Sequence, residues 1–67
     1  MINVTFYSAY SKPTSKIICE CDSVKYDQTT SKISLYNAKH KLLRYAFADE
    51  FERIEIEQDG KLTQVII

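Results

Sequence analysis

From Arg53 to Glu57 the chain reads Arg-Ile-Glu-Ile-Glu, and Asp59-Gly60 comes one residue later. Strict alternation of apolar and charged residues is the period of a strand with one buried and one wet face. Asp-Gly is the strongest short signal for a two-residue hairpin, because both central positions of that turn need positive φ. With such a turn, Ile54 is expected opposite Val65 and Ile56 opposite Thr63. Val65 and Ile67 then share the face of Ile54 and Ile56. Leu62 and Ile66 fall on the other side, so the last strand is expected to be half-buried on both faces.

The same period recurs along the chain. Ile2, Val4 and Phe6 alternate with Asn3, Thr5 and Tyr7, and Ser11-Lys12-Pro13-Thr14-Ser15 ends that run, since proline cannot donate to a ladder. Ile17, Cys19 and Cys21 begin a second run, but beyond Ser23 the apolar phase moves to Val24 and Tyr26. A shift of one residue would exchange inside for outside, so a bulge or sharp bend is expected near Asp22-Ser23. Asp27-Gln28-Thr29-Thr30-Ser31 reads as a polar turn before Ile33 and Leu35. A second turn, Asn37-Ala38-Lys39-His40-Lys41, lacks glycine, and Asn37 is its best candidate for a left-handed residue. Leu43, Tyr45 and Phe47 share a face of the next strand. Ala48-Asp49-Glu50-Phe51 is too short for a stable helix and reads as one helical turn or a loop.

These runs predict a mainly β chain, one small domain over 1–67. The expected architecture is a single antiparallel meander of about five to six strands, closed as a small barrel or left as a strongly curved sheet. Its expected core is Val4, Phe6, Ile33, Leu35, Leu43, Ile54, Ile56 and Val65. A chain of 67 residues buries only about 60% of its unfolded surface, so each core side chain carries much of the stability.

The sequence offers little to catalysis. Cys19-x-Cys21 and the lone His40 are its only soft metal ligands, short of the four a structural zinc site takes, and one spacer between the cysteines is fewer than usual. Two thiols that close on one strand face make a strained disulfide and are expected free. One histidine leaves a nucleophile little choice of base, and Gly60 stands alone, with no glycine-rich phosphate loop. No catalytic residue, metal, cofactor or small-molecule substrate is expected; the chain reads as a non-enzyme. No run of 18 apolar residues suggests a membrane span and no basic-then-apolar leader is visible, so the expected setting is cytoplasmic and reducing. A gene product of this size without catalytic residues suits a phage or other mobile element.

Two binding classes remain. The net charge is zero, yet residues 1–45 carry seven Lys/Arg against three acids, and residues 46–67 carry two against six. The ordinary expectation is that the halves neutralise one another across adjacent strands. A functional reading makes Glu50, Glu52, Glu55 and Glu57 an acidic face for a basic partner. Apolar strands at both chain ends either pair to close a barrel or accept another strand, from another protein or a second copy. An accessory or inhibitory protein-binding module is therefore the leading expectation. The alternative is a small barrel for single-stranded nucleic acid, using Lys32, Tyr36, Lys39, Lys41 and Arg44 as cations and a stacking ring. A structural subunit of a larger assembly is the third.

Overall fold

A computed structural model describes residues 1–8 and 16–67; the break expected at Ser11–Ser15 lies outside the described residues. Seven strands and one short 3-10 turn follow in order: β1 (Ile2–Tyr7), β2 (Lys16–Cys21), β3 (Ser23–Asp27), β4 (Lys32–Tyr36), β5 (Leu42–Phe47), η1 (Ala48–Glu50), β6 (Arg53–Gln58) and β7 (Lys61–Ile66). They form two antiparallel sheets, β2-β1-β6-β7 and β3-β4-β5. The mainly β character holds; the single sheet and the closed barrel do not. Among the described residues β1 pairs with β2 and β6, and β7 pairs with β6 alone, so β1 and β7 do not pair.

The phase change at Asp22 explains both the extra strand and the second sheet. Asp22 separates β2 from β3, and its N–H donates to the Tyr36 carbonyl at 2.8 Å. The chain therefore turns a corner there from one sheet into the other, a stronger form of the expected bend. What reads as one run from Lys16 to Tyr26 is two strands in two layers.

Between the layers lies one core. Val4, Phe6, Cys21, Ile54, Ile56 and Ile66 come from the four-stranded sheet, and Ile33 and Leu35 from the three-stranded one. Phe6 sits with Phe51, ring centroids 5.1 Å apart and tilted by 49°, within the separation at which aromatic pairs attract. Central β1 carries Val4 opposite Cys19 and Ile56, and Phe6 opposite Ile17 and Ile54.

Two expected core residues are outside. The hairpin starts as anticipated: Asp59 and Gly60 both have positive φ (52° and 80°), and Gln58 pairs with Lys61 and Glu57 with Leu62. The register then slips, so that Ile56 faces Gln64, Glu55 faces Val65 and Ile54 faces Ile66. The extra residue is Thr63, whose hydroxyl donates to the Ile56 carbonyl at 3.1 Å. One inserted residue exchanges the two faces of the strand. Ile66 is thus 8% exposed, and Val65, expected inside, is 40% exposed.

β5 repeats the device. Ile33 pairs with Ala46 and Leu35 with Arg44, but Tyr36 pairs with Leu42, leaving Leu43 unpaired in a bulge. Leu43 is 52% exposed, and the core-facing positions of β5 belong to Ala46 and Arg44.

The turns are local hydrogen-bond devices. The Asp27 carboxylate accepts from the Thr29 N–H at 2.9 Å. Asn37 Oδ1 accepts from the N–H groups of Lys39 and Lys41 at 2.9 and 3.0 Å. Positive φ falls on His40 (60°), not on Asn37: the amide organises the loop from its start and leaves the left-handed step to another residue.

Candidate binding surfaces

The expected acidic face is built on β6, and its central carboxylate is occupied. Tyr7 donates its hydroxyl to Glu55 Oε1 at 2.7 Å, and Arg53 Nε lies 3.5 Å from Glu55 Oε2. The Arg53 guanidinium also stacks 4.1 Å from the Tyr7 ring centroid. The hydrogen bond to Glu55 raises the Tyr7 phenol above its ordinary pKa, with Arg53 opposing. Such a cluster ties β1 to β6 across their Thr5–Glu55 and Tyr7–Arg53 pairs. Glu55 and Glu57 are half-buried, whereas Glu50 in η1 and Glu52 just after it are exposed. The four carboxylates are thus not equally open to solvent.

The outer face of the three-stranded sheet gathers other residues. Lys32 pairs with Phe47 and Ser34 with Tyr45, which puts all four on the side away from the core residues Ile33 and Leu35. Tyr45 and Phe47 meet edge to face at 6.1 Å, and Lys32 Nζ lies 4.7 Å from the Tyr45 ring centroid. A cleft beside them is lined by Lys25, Asp27, Lys32, Ser34 and Tyr36. Of the five residues expected to grip nucleic acid, Lys32 and Tyr36 come together here. Lys39 and Lys41 stand exposed in the following turn. Arg44 does not join them: it points to the other face, where Nη1 donates to Cys19 Sγ at 3.4 Å.

Sequence reasoning passed over the aromatic and aliphatic edge of β5. Leu42, Leu43, Tyr45 and Phe47 are all exposed, at 47%, 52%, 54% and 36%, and β5 has no strand on its outer side among the described residues. The clue available was the continuous apolar run Leu42-Leu43…Tyr45-Ala46-Phe47, longer than one buried face needs.

No family model, curated protein or solved structure matches the chain. The surfaces must speak for themselves.

Cys19 and Cys21 are free thiols, the first half-buried and the second buried. Burial raises the Cys21 thiol above its ordinary pKa. Among the described residues no three of His, Cys, Asp and Glu gather where a metal ion could be held. No helix among them is long and apolar enough to cross a membrane.

Proposed function

We propose that this chain is a non-enzymatic protein-binding module that engages its partner along β5. The observation that carries this reading is an open edge strand with four large apolar side chains turned to solvent. An uncovered edge is a template for a further strand, and natural edges are normally blunted by charge, proline or brevity. β3 meets that description, with Lys25 at its centre and only five residues. β5 carries Arg44 and the Leu43 bulge, yet it couples a backbone edge with no neighbour among the described residues to an apolar patch, the combination strand addition uses for affinity and for specificity. The partner's contact moves accordingly from the β6 carboxylates to β5, flanked by Glu50 and Glu52. A photo-crosslinking residue in place of Tyr45, compared with one in place of Lys61, tests this in the native cell. Nuclease-resistant capture of a protein from position 45 alone is the expected result; equal yields from both sites, or none, would defeat it.

Nucleic acid remains the second reading, favoured by Tyr36, Tyr45 and Phe47 lying beside Lys25 and Lys32 on one sheet face. Such a face stacks bases and contacts phosphates. Against it, Asp27 lines the same cleft and Lys32 already covers the Tyr45 ring. Binding of a single-stranded oligonucleotide that weakens steeply with salt, and is lost on Lys25→Glu with Lys32→Glu, would favour this reading over the first.

A further inference from the structure

β5 is flanked by opposite charges. Lys39 and Lys41 precede it, and Asp49, Glu50 and Glu52 follow it; all five residues are exposed. An antiparallel neighbour presents its own far end at each end of the strand. A second copy of this chain laid antiparallel along β5 therefore brings the basic end of each copy to the acidic end of the other, twice over. A parallel copy would set like beside like.

The side chains of β5 narrow the register. A two-fold axis through Tyr45 places Tyr45 opposite its own counterpart and Phe47 beside the second copy's Leu43 bulge. Arg44 then faces the second copy's Ala46. Moving the axis to Arg44 would set two guanidinium groups directly opposite, which is unfavourable across a strand pair. Moving it by half a step would pair a core-side residue with a solvent-side one. Centring on Tyr45 also brings the Lys41 end of each strand toward the second copy's η1, where Asp49 and Glu50 lie. From this we infer that the partner of the β5 edge is a second copy of the same chain, joined antiparallel through β5 about a two-fold axis at Tyr45.

The inference rests on the reading of β5 as the binding edge and adds the identity of its occupant. The joint makes one six-stranded sheet from two three-stranded ones, uses the same patch on both copies, and closes after two. It leaves the β7 edge aside: there Leu62 and Val65 are exposed, but Lys61 is the one charged residue of that strand, so it lacks the opposed acidic and basic ends that flank β5.

Sedimentation across a concentration series reads the mass directly. The parent should pass from the 7.8 kDa of one chain to twice that value, with the dimer weakening as salt rises. Two charge-reversed chains make the decisive test: one with Lys39→Glu and Lys41→Glu, the other with Asp49→Lys and Glu50→Lys. Each alone meets like charges at both ends of the joint and should stay monomeric at concentrations where the parent is dimeric. Mixed in equal amounts, they again offer opposite charges at both ends and should recover the dimer. Recovery on mixing excludes misfolding as the cause of the loss. A monomeric parent throughout the series, reversals without effect on its dimer, or failure of the mixture to recover would each overturn the inference. Crosslinking from position 45 separates it from the broader reading: capture of a different protein leaves β5 as a binding edge but removes the second copy, and no capture removes both.

Discussion

The slipped register of β7 makes a prediction in which two adjacent residues exchange importance. Without the Thr63 bulge Val65 would lie in the core and Ile66 in solvent; with it, Ile66 faces Ile54 and Val65 faces Glu55. Ile66→Ala removes three carbons from a side chain that is nearly out of water, and each buried methylene is worth about 0.8 kcal/mol. A loss of about 2 kcal/mol follows, toward the low end for such truncations because an edge strand can partly collapse into the gap. Val65→Ala removes two carbons from a residue that is 40% exposed, and should cost about 1 kcal/mol or less. In a domain of this size each kcal/mol moves the melting temperature by about 4–8 °C. Ile66→Ala should therefore melt about 8–16 °C below the parent. Far-ultraviolet circular dichroism reports the melt, and urea titration gives the free energies independently. Val65→Ala proving equal to or worse than Ile66→Ala would restore the unbulged register and refute the argument.

Further predictions follow from the core, the hairpin and the titrating groups. Phe6→Ala and Ile54→Ala each empty a fully buried site and should cost about 2–5 kcal/mol, against a total of roughly 3–10 kcal/mol for a chain of this length; a cooperative melt near the parent's would show either residue to be dispensable. A Cβ at Gly60 meets nothing within 4 Å, so Gly60→Val should lose stability, by more than about 1 kcal/mol, through its positive φ alone. An unchanged urea midpoint would dismiss that turn. Cys21 should resist alkylation in the folded protein while Cys19 reacts, as peptide mass mapping would reveal; equal rates would contradict the burial. The Cys21 thiol and the Tyr7 phenol both lie above their ordinary values when folded. The unfolded chain gives up these protons first, so stability should be level at neutral pH and fall as pH rises past the ordinary thiol range and then the phenol range. Urea midpoints that hold constant into strong alkali would contradict the shifts.

Alternation was legible wherever one side of a strand is apolar and the other is not. Val4, Phe6, Ile33, Leu35, Ile54 and Ile56 all entered the core as their spacing required. Asp59-Gly60 turned as expected because both residues accept positive φ. The corner at Asp22 could be sensed because the apolar phase visibly changes there, though not that the chain passes into a second sheet. That fact turned the expected five to six strands into seven. The bulges at Leu43 and Thr63 left no such mark. Each lies in a run with apolar residues in both phases, Leu42-Leu43 in one case and Val65-Ile66 in the other, so either register satisfies the pattern. Only packing against Ile33, Leu35 and Ile54 decides which phase is buried. Arg44 shows the same limit, since a basic residue between Leu43 and Tyr45 looks solvent-facing until the bulge turns it toward Cys19.

The charge asymmetry also acquires a different meaning once the strands are placed. Neutralisation across adjacent strands would need β6 to lie beside basic strands. Its neighbours are β1, which has no charged residue, and β7, whose one charge is Lys61. β6 instead compensates itself, with Arg53 set against Glu55 and Tyr7 holding the same carboxylate. Reversal of Glu55 to Lys is thus no neutral probe of an acidic face, because it strands the Tyr7 hydroxyl and sets a second cation beside Arg53. The exposed acids of residues 46–67 without an ion pair among the described residues are those around η1, Asp49, Glu50 and Glu52, and the exposed cations flanking β5 on its other side are Lys39 and Lys41. One edge strand separates the two groups. An ion pair in water contributes little by itself, so these charges add little to the stability of one chain. At an interface, opposite charges set orientation and register and like charges penalise the wrong ones. The uneven distribution that looked like an acidic half and a basic half is, in the folded chain, a polarity written along β5.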